Sequence, residues 1–367
     1  MSRDGELVIR DVAVRRLVAP LPNPFWWATG VAAERRATLV RVSTRGGLVG
    51  WGETLDPAAG EIVERLLASL LVDGRTLARP QLRPRMVAAC RAGKVPAASA
   101  ASAVGSVEIA LWDIAGQVAG RPLHSLLGGA RRRSLTAYGS GLYYRSGQAD
   151  RELASEAEGY VERGFRLLKM KVGKLSVSED AARVSLVRAQ LLSGASLAVD
   201  ANQAYDLRRA AEMAKRLAAI GVRWFEEPLP IRNYAGYDRL AQCYGIPLAA
   251  GESFHGRRQF SRLLLRGTIE FAQPNVARIG GVAKTVTVAA LAERCDARLA
   301  MHGWGVGVLQ AAAAHIACCL DEEPLVEFDC TPNPLRAAVA GGPVLDGGTI
   351  RVSDAPGLGI TVDEAVL

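Results

Sequence analysis

The chain has 367 residues, 49% hydrophobic and 22% charged, which is the composition of a folded globular protein with room for one large domain or two ordinary ones. A net charge of +8 would suit an acidic partner, but the arginines are dispersed and the densest run, Arg131-Arg132-Arg133, is short; a small anionic substrate is expected and nucleic acid is not. The opening MSRDGELVIRDV lacks the apolar stretch of an export signal, and the longest apolar helix-like run, VGVLQAAAAHIACCL, is broken by Gln310 and His315 and too short to span a bilayer, so no membrane association and a cytoplasmic location are expected.

The first 60 residues alternate with period two, in LVIRDVAVRRLVAP and ATLVRVSTRGGLVGWGETL, which predicts a short antiparallel sheet with a turn at Gly46-Gly47. Residues 61–72 and 99–118 carry apolar side chains at helical spacing, and GRPLHSLLGG ends that pattern. From about Leu135 short strand-like runs alternate with amphipathic helices: LTAYGSGL, RLLKMKV, LAVDAN, WFEEP, PLAAGE, IEFAQPN, RLAMHG and LVEFD. Eight such runs predict a (β/α)8-type barrel, without a regular eighth helix because the chain turns Pro- and Gly-rich from Cys330. The tail GGPVLDGGTIRVSDAPGLGI reads as extended and is expected to return to the N-terminal sheet. Six cysteines without CxxC or Cys/His spacing, in a chain too large to need staples, read as reduced thiols.

Barrel enzymes draw their functional groups from the C-terminal ends of successive strands, so such groups should recur once per β/α unit. Lys171, Asp200, Glu226, Glu252, Asn275, His302 and Glu327 do so, at intervals of 29, 26, 26, 23, 27 and 25 residues. Asp200, Glu226 and Glu252 would then converge from adjacent strand ends, and three packed carboxylates repel unless a cation holds them. An all-oxygen donor set that leaves room for water and substrate favours Mg²⁺ over a dedicated Ca²⁺ cage. Each acid taken alone could instead cap the following helix, but capping demands no regular interval.

Only 6 of the 45 basic residues are lysines, yet Lys169 and Lys171 stand two apart in the apolar run LLKMKVG. On a strand that spacing points both toward the same mouth as the acids. One crowded, desolvated ammonium loses its proton more easily and could serve as a base while its neighbour binds an anion. Equally, the pair could simply neutralise the acids; spacing alone does not separate these roles. His302 ends the run RLAM and faces the same mouth, whereas His124, His315 and His255 fall in a turn, on a helix and in the loop after Glu252.

Taken together, KMK, DAN, FEEP, GES, QPN with the following GG, and MHGWG resemble the enolase superfamily, and their intervals resemble its mandelate racemase-like subgroup. The resemblance spans nearly the whole chain. It implies an α/β fold in which a modified (β/α)7β TIM barrel, residues 131–328, carries an N-terminal α+β capping domain, residues 1–130, completed by a C-terminal segment, residues 329–367. It makes Asp200, Glu226 and Glu252 the Mg²⁺ ligands and Lys171 the base on one side of the substrate α-carbon. Lys169 would touch the substrate carboxylate and depress the pKa of Lys171, and His302 would act from the opposite side. The implied chemistry is abstraction of the proton α to a carboxylate. A homo-oligomer is expected.

One position departs from the subgroup. An Asp usually pairs with the histidine, and this chain has Asn275. An amide can accept a hydrogen bond from His302 and orient it, but cannot stabilise an imidazolium as a carboxylate would. That disfavours symmetric two-base racemisation and favours β-elimination. The fragments EFDCTPNPLR, GESFHGR and HGWGVGV resemble acid-sugar members, dehydratases and galactaro-lactone cycloisomerases. The leading expectation is therefore a Mg²⁺-dependent lyase acting on an acid sugar or its lactone. A racemase or epimerase of a hydroxy acid and a catalytically impaired carboxylate-binding member are the alternatives. Asn202, Glu327, Trp26 and His255 are the expected substrate contacts, Trp26 from the aromatic loop PLPNPFWWATG.

Overall fold

The computed structural model describes residues 7–74, 79–191 and 194–365, so the first six residues of the opening segment lie outside it. Alternation near the N-terminus becomes a three-stranded antiparallel sheet of β1 (Ile9–Trp27), β2 (Gly30–Thr44) and β3 (Val49–Thr54), in that order. Its buried face, with Ile9, Val12, Val14, Val40 and Val42, packs on the helix Ala97–Ala119 through Val104, Val107, Leu111 and Ile114. The helix comes unusually close. A Cβ at Gly52 would stand 1.8 Å from the Ser106 carbonyl oxygen and one at Gly50 2.2 Å from that of Ala110, so the GWG of β3 admits backbone against backbone.

The segment PLPNPFWW is not a free loop. It continues β1, with a register shift between Pro20 and Phe25 that accommodates prolines unable to donate to the ladder. The resulting hairpin overhangs the barrel, where Trp26 exchanges backbone hydrogen bonds with Tyr144 at 2.8 and 3.0 Å.

Eight parallel strands close the barrel: β4 (Ser134–Ser140), β5 (Leu167–Lys171), β6 (Ser196–Asp200), β7 (Phe225–Glu226), β8 (Leu248–Ala250), β9 (Phe271–Ala272), β10 (Arg298–Met301) and β11 (Leu325–Asp329), with β11 paired to β4. Tyr138, Leu167, Ala198, Trp224, Ala249, Phe271 and Ala300 form a separate cluster of buried side chains contributed by these strands. As the composition after Cys330 predicts, a short 3₁₀ turn, Pro334–Ala338, stands where an eighth helix would be.

The tail corrects one expectation. Its strands do not join the N-terminal sheet: β12 (Val339–Gly341) pairs with β15 (Ile360–Val362), and the hairpin of β13 (Val344–Asp346) and β14 (Thr349–Arg351) extends the barrel sheet along β4. The reason is a free edge. β4 meets β5 only through Gly139 and Ser140, which leaves its first residues open to β14. The tail reaches the capping region through polar contacts instead: Arg41 Nε to Glu364 Oε1 at 2.9 Å, and Leu358 N to Asp113 Oδ1 at 2.8 Å. No helix among the described residues is long and apolar enough to cross a membrane.

Asp113, 3% exposed, also accepts the Trp51 backbone N–H at 3.1 Å and so joins helix, sheet and tail. Burial raises its carboxyl to about 6, against the pull of those N–H donors. An ordinary aspartate titrates near ~3.9, so the folded state keeps a proton that the unfolded chain releases, and stability falls as pH rises from about 4 through 6. Asp113→Asn lacks this slope. Chemical denaturation should show the wild type losing up to about 3 kcal/mol relative to the variant between pH 4 and pH 7; a constant difference would mean that Asp113 ionises as it does in the unfolded chain.

Candidate active site

The barrel strands deliver the spaced residues to one mouth. Lys171, Asp200 and Glu226 end β5, β6 and β7; Glu252, Asn275 and His302 follow β8, β9 and β10 within three residues, and Glu327 lies inside β11. Alternation turns Lys169 and Lys171 toward the acids, while Leu168 and Met170 join the outer hydrophobic core with the helices. One carboxylate oxygen from each of Asp200, Glu226 and Glu252 lies within 4.8 Å of the others, the one such metal-holding group among the described residues.

Lys169 Nζ stands 2.9 Å from both Glu226 Oε1 and Glu327 Oε1 and 3.9 Å from Asp200 Oδ2, and Lys171 Nζ donates to Asp200 Oδ2. Glu226 Oε2 accepts from Gln273 Nε2 at 2.6 Å and Trp224 Nε1 at 3.2 Å. Asn202, in the left-handed region at φ +41°, donates its backbone N–H to Asp200 Oδ1 (2.8 Å) and its Nδ2 to Glu252 Oε1 (3.2 Å). Burial, and then the Asp200 charge, push the Glu226 carboxyl well above its usual range. A buried all-carboxylate set in which one acid resists ionisation is short of positive charge, and its hard oxygen donors fit a divalent ion such as Mg²⁺.

The lysines do not behave as crowding alone predicts. Burial is the largest influence and disfavours both ammonium charges, but Glu226, Glu327, Tyr138 and Asp200 together outweigh it for Lys169, and Asp200, Tyr143 and Glu252 together outweigh it for Lys171, so both are held above the ordinary lysine range. In the protein alone the pair neutralises acids.

His302 is 9% exposed, with Nε2 3.3 Å from Glu252 Oε2 and 3.8 Å from Glu327 Oε2. Its Nδ1 lies 2.9 Å from Asn275 Nδ2. The expected direction of that bond is reversed. Asn275 Oδ1 is occupied by the Arg278 backbone N–H at 3.0 Å, which turns the amide nitrogen toward the imidazole. Asn275 therefore donates, Nδ1 accepts, and the imidazole proton resides on Nε2. Burial first, then Lys169 and Arg278, hold the imidazole below its ordinary range despite Glu327 and Glu252. Asp329 does not replace the missing acid, because Arg35 (2.9 Å), Arg336 (3.1 Å) and Thr331 engage it.

A cavity of ≈ 200 Å³ at the mouth is lined by Lys171, Asn202, Glu252, His302 and Glu327, with Trp27, Leu55, Tyr143, Arg278 and Trp304 around them. Trp26 does not line it. Neighbouring residues of a strand face opposite ways, so Trp27 takes that position. His255 borders an adjoining cavity instead. The aromatic walls are held from behind by Arg35, 2% exposed, whose guanidinium lies 5.2 Å from the Phe25 ring and 4.8 Å from the Trp304 ring. Phe25 packs on Tyr143 at 4.5 Å, and Tyr143 lies 5.3 Å from Lys171 Nζ. Two buried acids also escaped the spacing argument. Glu53 accepts the Val306 and Leu309 N–H groups at 2.7 and 2.9 Å, at the start of the helix Val308–Ala317 behind His302. Glu227 holds Ser253 and Gln203 beside Glu252; the doubled acid in FEEP was its one visible signal.

Residues 9–128 match the family described as mandelate racemase / muconate lactonizing enzyme, N-terminal domain, and residues 152–366 match enolase C-terminal domain-like. The chain is 32% identical to D-galactarolactone cycloisomerase of Agrobacterium fabrum, over 98% of this chain and 97% of that protein. It is 31% identical to arabinonate dehydratase of Saccharolobus solfataricus, over 89% and 88%. A racemase from Streptomyces coelicolor A3(2), solved with bound magnesium, shares 28% identity and a TM-score of 0.87, over 97% of this chain and 98% of that one. The chain belongs to the enolase superfamily, in its mandelate racemase-like group. It is an enzyme of the lyase or isomerase kind.

The Asn275 contact has a spectroscopic signature. Nitrogen-15 shifts of His302, one of four histidines, should report a neutral Nε2–H tautomer between pH 6 and 8. Asn275→Asp, which reverses the bond and adds a negative charge, should raise the His302 pKa by about 1–3 units. A wild-type imidazole that titrates above its ordinary value would contradict the assignment.

Proposed function

We propose that this enzyme is a Mg²⁺-dependent lyase that removes the proton α to the carboxylate of an acid sugar or its lactone and expels the β-oxygen. The observation that carries the reading is the pairing of Lys171 with a histidine prepared only to donate, on strand ends three places apart around one closed barrel. Asp200, Glu226 and Glu252 would hold the ion. When bound, Mg²⁺ would supply positive charge for the negative charge that develops on the substrate carboxylate. With Asp200 engaged by the ion, Lys171 Nζ would release its proton and, as the free amine, take the α-proton. Lys169, fixed by Glu226 and Glu327, presents its ammonium to the same carboxylate. His302 Nε2–H hydrogen-bonds the departing oxygen while Asn275 keeps Nδ1 occupied; a lactone oxygen leaves as a carboxylate and a hydroxyl as hydroxide, which takes a proton from solvent, and Asn202 and Glu327 contact the substrate.

The two relatives that act on sugar acids, a cycloisomerase and a dehydratase, support this reading, and the racemase with bound magnesium supports the ion and a second reading. Racemisation requires His302 Nε2 to accept a proton, which would leave Nδ1 a donor facing the Asn275 amide donor. That clash favours elimination.

A panel of aldonates, aldarates and their lactones, incubated with Mg²⁺ in deuterated water and followed by proton NMR, tests the proposal. Net elimination of one acid sugar or opening of its lactone is expected, lost on chelation. Lys171→Ala should lower turnover by about 10²–10⁴-fold and stop exchange of the α-hydrogen. His302→Asn should slow elimination yet leave exchange. Exchange on both faces without loss of the β-oxygen would establish the racemase reading instead.

A further inference from the structure

The adjoining cavity, ≈ 320 Å³, lies where the capping segment of Leu55, Asp56 and Pro57 meets the barrel loop that carries Ser253 and His255. Two residues, Leu55 and Arg278, belong to the walls of both cavities. The two cavities therefore adjoin, and Arg278 borders both.

Charge distinguishes Arg278 from the other ionic groups of the mouth. Glu226, Glu327 and Asp200 are paired with Lys169 and Lys171, and Glu252 faces His302. Buried Arg35 has Asp329 at 2.9 Å. Arg278, half-buried, has no carboxylate within 4.0 Å among the described residues. It is nonetheless anchored: its backbone N–H bonds Asn275 Oδ1, and Nη1 donates to the Glu252 carbonyl at 3.3 Å. A guanidinium fixed at one nitrogen, without a counter-charge and bordering two cavities, is arranged to grip an anionic group by its remaining fork. Asp56 on the far wall is already engaged as the cap of the helix Pro57–Ile62, where its Oδ1 accepts the Ala58 N–H at 3.0 Å. Ser102 and Ser253 complete the polar lining, the Ser253 hydroxyl already donating to Glu227 at 2.8 Å.

We propose that this second cavity is a distal subsite in which Arg278, with His255 on the facing loop, binds a second carboxylate of the substrate, so that the preferred substrate is an open sugar diacid rather than a monoacid. The proposal rests on the reading that the reacting carboxylate lies at the Asp200, Glu226 and Glu252 cluster.

The test compares galactarate and D-galactonate, which share configuration and differ in the distal carboxylate, with the Mg²⁺-loaded enzyme. The wild type should favour the diacid by at least tenfold in kcat/KM. Arg278→Gln should erase most of that ratio by raising KM for the diacid more than it lowers kcat, Arg278→Lys should restore part of it, and His255→Gln should weaken it from the other wall. A preference for D-galactonate, or a diacid preference that survives both Arg278→Gln and His255→Gln, would overturn the subsite. Should Arg278→Gln fail to fold, His255→Gln decides the outcome. If the wild type turns over neither, the catalytic reading has failed for this configuration. Calorimetric binding of galactarate against D-galactonate then judges the subsite alone: tighter diacid binding, reduced in Arg278→Lys and in His255→Gln, supports it, and equal binding rejects it.

Discussion

Charge neutralisation in a dry barrel mouth is the constraint that organises everything around it. Asp200 and Glu226 are fully buried, Glu327 is 2% exposed, and Glu252 completes a set of four carboxylates facing two ammonium groups, Lys169 and Lys171. With all four acids ionised, four negative and two positive charges leave two negative, the complement of one divalent cation. Removing a carboxylate from water costs several kcal/mol, and ion pairing offsets that only where every lone pair finds a partner. The second layer supplies those partners: Gln273 and Trp224 on Glu226, Asn202 on Asp200 and Glu252, and the Gly303 N–H on Glu327 at 3.1 Å. The lysines are held above their ordinary pKa for the same reason, because the surrounding acids outweigh the crowding of two amines.

Against that balanced cluster, Asn275 is a small change with a large directional effect. A carboxylate there would accept from Nδ1 and let the imidazole carry charge; the amide, locked by the Arg278 N–H, donates instead. The two sides of the cavity thereby become unequal, one carrying an ammonium and one a neutral imidazole that gives a hydrogen bond. Arg35 reinforces the asymmetry from outside, since it fixes both Trp304 and, through Phe25, the Tyr143 wall beside Lys171.

Regular spacing made the barrel and its spaced residues legible, because one β/α unit has a nearly constant length and strand alternation decides which lysines look inward. The same periodicity could not say which partner a strand takes, and the tail accordingly paired with the free edge of β4 rather than with the N-terminal sheet. Nor could residue type reveal hydrogen-bond direction: Asn275 read as an acceptor until the neighbouring backbone N–H claimed its oxygen. Trp26 and Trp27 are indistinguishable in a quoted loop and differ only once a strand assigns them opposite faces. Glu53 and Glu227 belong to no interval, since each works by capping backbone groups of a distant segment.

Glu53 also bears on how this architecture can change. A carboxylate from the capping sheet completes the first turn of a barrel helix, and a glycine follows at position 305 because any side chain there would meet it at 2.5 Å. Helix start and acid are therefore one unit divided between two parts of the chain. Exchange of caps among related barrels would leave unsatisfied N–H groups at the seam unless strand and helix travelled together, so divergence in such a scaffold is channelled into the tips of the overhanging segments, where Trp27 and Leu55 stand.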